Sequence, residues 1–187
     1  MSRTLRTALL LFATLCAGPA LAKVEIEAAQ QKNLGNMLIA KVSEEISPGD
    51  YEALLKGLQA HPGKFARKIV LLDSIGGSAA EAMRMGRLLR ETGFETLVPS
   101  EGVCQGSCIY LLAAGRKKMV RGHVGLHRPH FPAGESAQAS RAGMPNNASG
   151  YFRDMGVAPA LAADMQAIEP HRMKVLTPAE LKRYRLN

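Results

Sequence analysis

Apolar residues along this chain recur with two different periods. Asn36 to Val42, NMLIAKV, is a short apolar run with the character of a strand. The segment SPGDYEALLKGLQ follows, with Tyr51, Leu54, Leu55 and Leu58 on one helical face. Ser47 is placed to cap that helix and Pro48 to occupy its first position. Lys68 to Asp73, KIVLLD, is continuously apolar up to its closing aspartate, as in a strand buried on both sides. After the turn SIGGS, Ser78 and Glu81 form a capping-box pattern. The helix that follows carries Ala82, Met85, Leu88 and Leu89 at helical spacing and stops at Gly93. Glu95 to Val98 reads as a strand, Ser107 to Ala114 as a helix closed by Gly115, and Met119-Val120 and Val124 to Leu126 as short strands. Strands and helices alternating at these spacings predict an α/β fold with a mostly parallel sheet.

Residues 128–150 break the pattern. They are rich in Pro, Gly, Ser, Ala and Asn and read as one long loop, a length that usually signals function or disorder. YFRDMGVAPALAADMQAI returns to helix, interrupted at Gly156 and Pro159, and Thr177 to Glu180 caps a short terminal helix. No internal repeat is present.

The first 22 residues have the layout of a secretory signal. Arg3 and Arg6 open it, an apolar run covers Ala8 to Ala17, and Ala20-Leu21-Ala22 offers a small-x-small cleavage site. That run is shorter than the ~20 residues a membrane span needs, so no stable span is expected. Residues 23–187 then form a single domain, periplasmic or secreted. Losing Arg3 and Arg6 takes the formal charge from +8 to +6. These charges are scattered, Trp is absent and Tyr and Phe number 4 and 5, which argues against nucleic-acid binding. Export places Cys104 and Cys108 in an oxidising compartment. An i, i+4 pair at a helix start lies about 6 Å apart at Cα, within disulfide range, and two cysteines alone do not make a zinc site. His123, His127 and His130 are the other metal candidates, but no acidic or cysteine partner stands near them in sequence. No metal and no cofactor is expected.

The chemistry-bearing residues gather at two turns. In an open parallel sheet, ligands bind beyond the carboxyl ends of the strands. Ser74-Ile75-Gly76-Gly77 follows KIVLLD, and Gly102 to Ser107 follows ETLV. Glycines let a backbone approach a substrate and aim its N–H groups, and a helix start adds unpaired donors. Such turns suit an oxyanion hole, where one lost donor typically costs ~3 kcal/mol in barrier. Ser107 is then a candidate nucleophile, with His127, at the end of VGL, as its base. Glu169, Asp164 and Asp154 are available to orient the imidazole. Each residue also has a structural reading. Gly76 and Gly77 make a tight turn, Ser107 caps the helix IYLLAAG, and His127 is a surface histidine. The order of glycine turn, serine turn and histidine favours the catalytic reading over these taken singly.

LDSIGGSAAEAMRMGRLL, GVCQGSCIYLLAAG and HVGLHRP together resemble the Clp protease proteolytic subunit, and more closely the exported ClpP-like proteins of bacterial envelopes. The resemblance runs from about Asn36 to Leu186. It implies the ClpP/crotonase fold, a right-handed spiral of ββα units, often assembled as a homo-oligomer. It implies Gly76, beside Gly77, as the oxyanion donor in a turn where Ile75 replaces the usual proline. It implies His127 as the catalytic histidine and Glu169 at or near the third position. The departure lies at the opening motif. Exported relatives carry Cys-x-Ser-x-Cys, whereas this chain reads Cys104-Gln105-Gly106-Ser107-Cys108, so Gly106 occupies the nucleophile position and Ser107 the oxyanion-donor position. A one-residue slip on a helix turns a side chain by ~100°. Two functions are therefore expected to compete: a serine-type peptidase or hydrolase of the envelope, and a non-catalytic module binding a peptide or protein by strand addition. An acyl-CoA enzyme of crotonase type shares the fold but is disfavoured by export.

Overall fold

A computed structural model describes residues 23–32, 35–128, 148–169 and 171–187. The signal segment 1–22, most of the loop 128–150 and His130 lie outside the described residues. Eight strands form one mixed sheet: β1 (Lys23–Gln31), β2 (Gly35–Ile46), β3 (Arg67–Gly77), β4 (Glu95–Val98), β5 (Val103–Gln105), β6 (Lys118–Val120), β7 (His123–Leu126) and β8 (Lys174–Val175). The six described helices are α1 (Asp50–Ala60), α2 (Ala79–Glu91), α3 (Cys108–Ala114), α4 (Ala148–Asp154), α5 (Ala160–Gln166) and α6 (Pro178–Tyr184). The fold is α/β. β1 runs antiparallel to β2 and β8 antiparallel to β7, while every pairing between them is parallel. Among the described residues no helix is long and apolar enough to cross a membrane.

The sheet forks because β3 is long. Its first half pairs with β4 (Ile69 with Glu95, Leu71 with Leu97) and its far end pairs with β5 (Ser74 with Cys104). β6 continues the first branch and β7 the second. A turn closed by Gly102 N–H donating to Pro99 O at 2.9 Å carries the chain from one branch to the other. Consequently the turn holding Ser107 follows β5 and not ETLV, and it lies directly beside the end of β3. SIGG is likewise the end of β3 and not a free turn, since Gly76 and Gly77 still pair with Glu45 and Ile46 of β2 after a one-residue register shift at Ile75.

Helix α3 lies at the centre of the core. Every residue of CIYLLAA is buried, as expected for a helix apolar on all sides. Tyr110 stacks on Phe152 with ring centres 5.1 Å apart, and Tyr151 meets Tyr110 edge-on at 5.4 Å. The segment YFRDMGVAPALAADMQAI divides into α4 and α5, because Gly156 takes a left-handed φ of 70° and Pro159 precedes the next helix.

Helix α1 starts later than Ser47 and Pro48 suggest. Its N-cap is Gly49, at φ 104°, and Ser47 donates its own amide to the Asp50 carboxylate at 2.8 Å. The amides of Gly49 and Tyr51 are satisfied from another helix, by the buried carboxylate of Glu81 at 3.0 and 2.8 Å. The Ser78–Glu81 box is thus half formed: Ser78 Oγ accepts from Glu81 N–H, while the Glu81 side chain turns to α1. The box at Thr177 and Glu180 is complete.

Candidate functional site

Three chain segments converge where β3, β5 and β7 end: Ser74 to Gly77, Gln105 to Cys108, and His127. The parallel register brings them together, with Ser74 level with Cys104 and Gln105 level with Gly125. Gly106 N–H donates to Gly125 O at 3.0 Å, which fastens the serine turn to the strand leading to His127. The disulfide Cys104–Cys108 closes the same turn from behind, with an S–S distance of 2.01 Å and Cα atoms 5.3 Å apart. Both cysteines are fully buried.

Gly106 holds a left-handed φ of 53° with its α-carbon facing the imidazole. A Cβ at Gly106 would overlap His127 Nε2 and stand 2.7 Å from Cε1 and 3.0 Å from Cδ2. Gly76, at φ 97°, is equally close to the turn: a Cβ there would lie 2.8 Å from Gln105 O, 3.0 Å from Ser107 N and 3.3 Å from Ser107 Oγ. Residues 76, 106, 107 and 127 therefore share one locality.

Their hydrogen bonds do not join Ser107 to His127. Ser107 Oγ donates to Gly77 O at 2.6 Å, and the hydroxyl makes no cap bond to α3. The side chain bridges β3 and the α3 entrance, so it serves neither as N-cap nor as a donor to the imidazole. His127 Nδ1 lies 2.9 Å from Arg128 O. With Nδ1–H donating to that carbonyl, Nε2 is the ring nitrogen directed at Gly106. Of the three carboxylates considered for orienting the ring, Glu169 is exposed and pairs with Arg172 at 3.0 Å. Asp164 accepts from Tyr184 Oη, and Asp154 lies 3.8 Å from Arg87.

Gly76 N–H, the expected oxyanion donor, donates to Ser74 Oγ at 3.2 Å, and Ser74 Oγ itself donates to Glu44 O at 2.5 Å. Ser74 is fully buried. Its role as the acceptor that occupies the Gly76 amide was not visible in SIGG, where it reads as an ordinary turn residue. Gly77, at φ 132°, is needed for a different reason: a Cβ there would overlap Ile46 O and come 2.8 Å from Ile46 N on β2.

No family model matches the chain, and no curated protein matches it either.

The surface beside the site is apolar. Register places Gln105, Gly125 and Val175 on one sheet face, opposite the buried row Ser74, Cys104, Val124 and Leu176, and Ile75 falls at the register shift between Ser74 and Gly76. Ile75 and Val175 are 56% and 50% exposed, and Met173, 48% exposed, covers Gly125 with its Sδ 2.5 Å from where a Cβ would stand. Val175 escapes a sequence reading because its strand has only two residues, and Met173 lies just before that strand, outside any regular element. Among the described residues no group of three or more His, Cys, Asp or Glu gathers as a metal site.

Proposed function

We propose that this chain is an exported ClpP-like module that holds an extended apolar peptide and does not cleave it. Support for the family rests on the β-strand and helix alternation, the forked parallel sheet and the convergence of the glycine turn, the serine turn and the histidine. The buried, formed disulfide fits an oxidising envelope compartment. The observation that carries the reading is that the imidazole stands against the missing side chain of Gly106 while Ser107 Oγ is committed to Gly77 O. A hydrolase needs the reverse, a hydroxyl on the base and a carboxylate behind it. What remains usable is the apolar surface of Ile75, Met173 and Val175 beside β8, the last strand in the sheet order, which suits pairing with an added strand and apolar contacts from its alternate residues.

The test combines a fluorophosphonate probe with binding of fluorescein-labelled apolar peptides by anisotropy. The expected result is no labelling of Ser107, with peptide affinity unchanged within about threefold in Ser107→Ala and His127→Ala. Labelling that disappears in Ser107→Ala would restore the peptidase reading and overturn this one. Absence of both labelling and peptide binding, in folded protein, would overturn it as well.

A further inference from the structure

Away from the strand tips, two half-buried cations meet at the joint between the end of α2, the start of β6 and the turn after α4. Arg90 donates to Gly115 O at 3.2 Å and to Met155 O, and Lys118 Nζ lies 3.5 Å from the same Met155 O. Among the described residues neither cation pairs with a carboxylate. Asp154, one residue before Met155, is engaged by Arg87 at 3.8 Å. Arg116 and Lys117, which precede β6, are exposed and add further positive charge, and Glu91 on α2 is an exposed acid at its edge.

Two adjacent cations drawn from water without a counter-ion are unfavourable, because burial weakens hydration and their mutual repulsion is poorly screened. Lys118 shows the consequence: burial, and then the Arg90 guanidinium, lower its amine to about 8. Backbone carbonyls offset part of the charge but bring only dipoles. Gly156 leaves room beside Arg90: among the described residues other than its chain neighbours, only Arg90 Nη2 comes within 4 Å of a Cβ built there, at 3.9 Å.

We propose that Arg90 and Lys118 form a binding site for a phosphate oxyanion, reached past Gly156. A dianion matches the two charges. The guanidinium has N–H groups beyond those given to Gly115 and Met155, and the ammonium supplies a second, mobile donor. Free phosphate presents its oxygens as a dianion and an anionic lipid headgroup presents them as a phosphodiester monoanion, so the two sources require separate arms.

The experiment titrates the full chain with inorganic phosphate against chloride at matched ionic strength, reading thermal stability and calorimetric binding. A parallel arm measures co-sedimentation with phosphatidylglycerol and with phosphatidylcholine vesicles. Phosphate is expected to stabilise the chain, with Lys118→Gln weakening binding roughly tenfold or more, since a charge-assisted hydrogen bond is lost. Lys118→Arg is expected to restore it. Binding should weaken as pH rises through about 8, where the Lys118 amine loses its charge, and Lys118→Gln should abolish that pH dependence. Binding confined to phosphatidylglycerol vesicles, and lost in Lys118→Gln, supports the site with a lipid source. Equal responses in Lys118→Gln and the unsubstituted chain, or no response in either arm, would overturn the proposal. Among the described residues the Lys118 ammonium makes only the long contact to Met155 O, so its substitution leaves the Arg90 bonds in place.

Discussion

Replacing Gly106 by alanine tests the feature on which the functional reading rests. Two costs add. The first is local: a non-glycine residue in the left-handed region costs roughly 1–2 kcal/mol, and Gly106 sits at φ 53°. The second is steric, because the new Cβ would overlap His127 Nε2. The imidazole is the far end of a flexible side chain, held by one hydrogen bond to Arg128 O, so it swings aside at a cost of about one hydrogen bond, ~1 kcal/mol. The sum is about 2–3 kcal/mol, or roughly 4–12 °C in Tm for a chain of this size. A double-mutant cycle separates the two parts. In a His127→Ala background only the backbone cost should remain, leaving a coupling of about 1 kcal/mol between the positions. Thermal or urea unfolding of the four proteins measures it. Zero coupling would show that the ring does not stand against Gly106, and the argument against Ser107 as a nucleophile would lose its foundation.

Three further outcomes are expected. Glu81→Ala should destabilise by about 2 kcal/mol in urea unfolding, because it removes two part-buried, charge-assisted bonds from the amides of Gly49 and Tyr51; a loss below ~1 kcal/mol would mean the α1 cap is satisfied another way. Tyr151→Phe should cost about 1 kcal/mol through loss of its bond to Tyr110 O at 2.8 Å, whereas Tyr110→Phe should be neutral or stabilising. Tyr110 Oη is buried with no partner among the described residues, and burial pushes it up to about 12. Glu180 is held down to about 2 by the Lys174 ammonium and by Thr177, so its stabilisation is present above the ordinary carboxylate range and fades as pH falls toward 2. Glu180→Gln should flatten stability against pH between about 5 and 2, and an unchanged acid limb would refute the assignment.

Local chemistry made some elements legible and hid others. ETLV is β4 over the expected residues, and Thr177 to Glu180 forms its full box, because both signals are complete within four residues. β1 carries no strand signal: after Val24 and Ile26 its sequence is EAAQQ, which lacks the branched and aromatic residues that mark strands. Its place comes from pairing with β2 along nine positions. The start of α1 differs from the one Ser47 and Pro48 suggest because its amides are satisfied by Glu81, some thirty residues away, and no local pattern encodes such a partner. The candidate site was legible to the level of the turn. Gly76, Ser107 and His127 do meet, since glycine-rich ends of adjacent parallel strands must be neighbours once the sheet is formed. The direction of each polar atom was not legible, because it depends on which carbonyl is nearest after packing.

That direction follows from the disulfide ring and the two strands it joins. Cys104 is locked into β5 beside Ser74, and Cys108 opens α3, so Gln105, Gly106 and Ser107 must reverse the chain between fixed ends. Gly106 takes the left-handed step and Ser107 is already helical at φ −69° and ψ −16°. A helical residue at that place turns its side chain back toward the end of β3, where Gly77 O accepts it. To face His127 the hydroxyl must sit one residue earlier, yet a side chain there needs the imidazole to withdraw. The turn therefore accommodates either the ring against Gly106 or a side chain at residue 106. Moving the serine alone, as in Gly106→Ser with Ser107→Gly, places a hydroxyl beside the imidazole without the carboxylate that would orient it. Such a variant should show at most weak fluorophosphonate labelling, and strong labelling would mean that Arg128 O orients His127 well enough for catalysis.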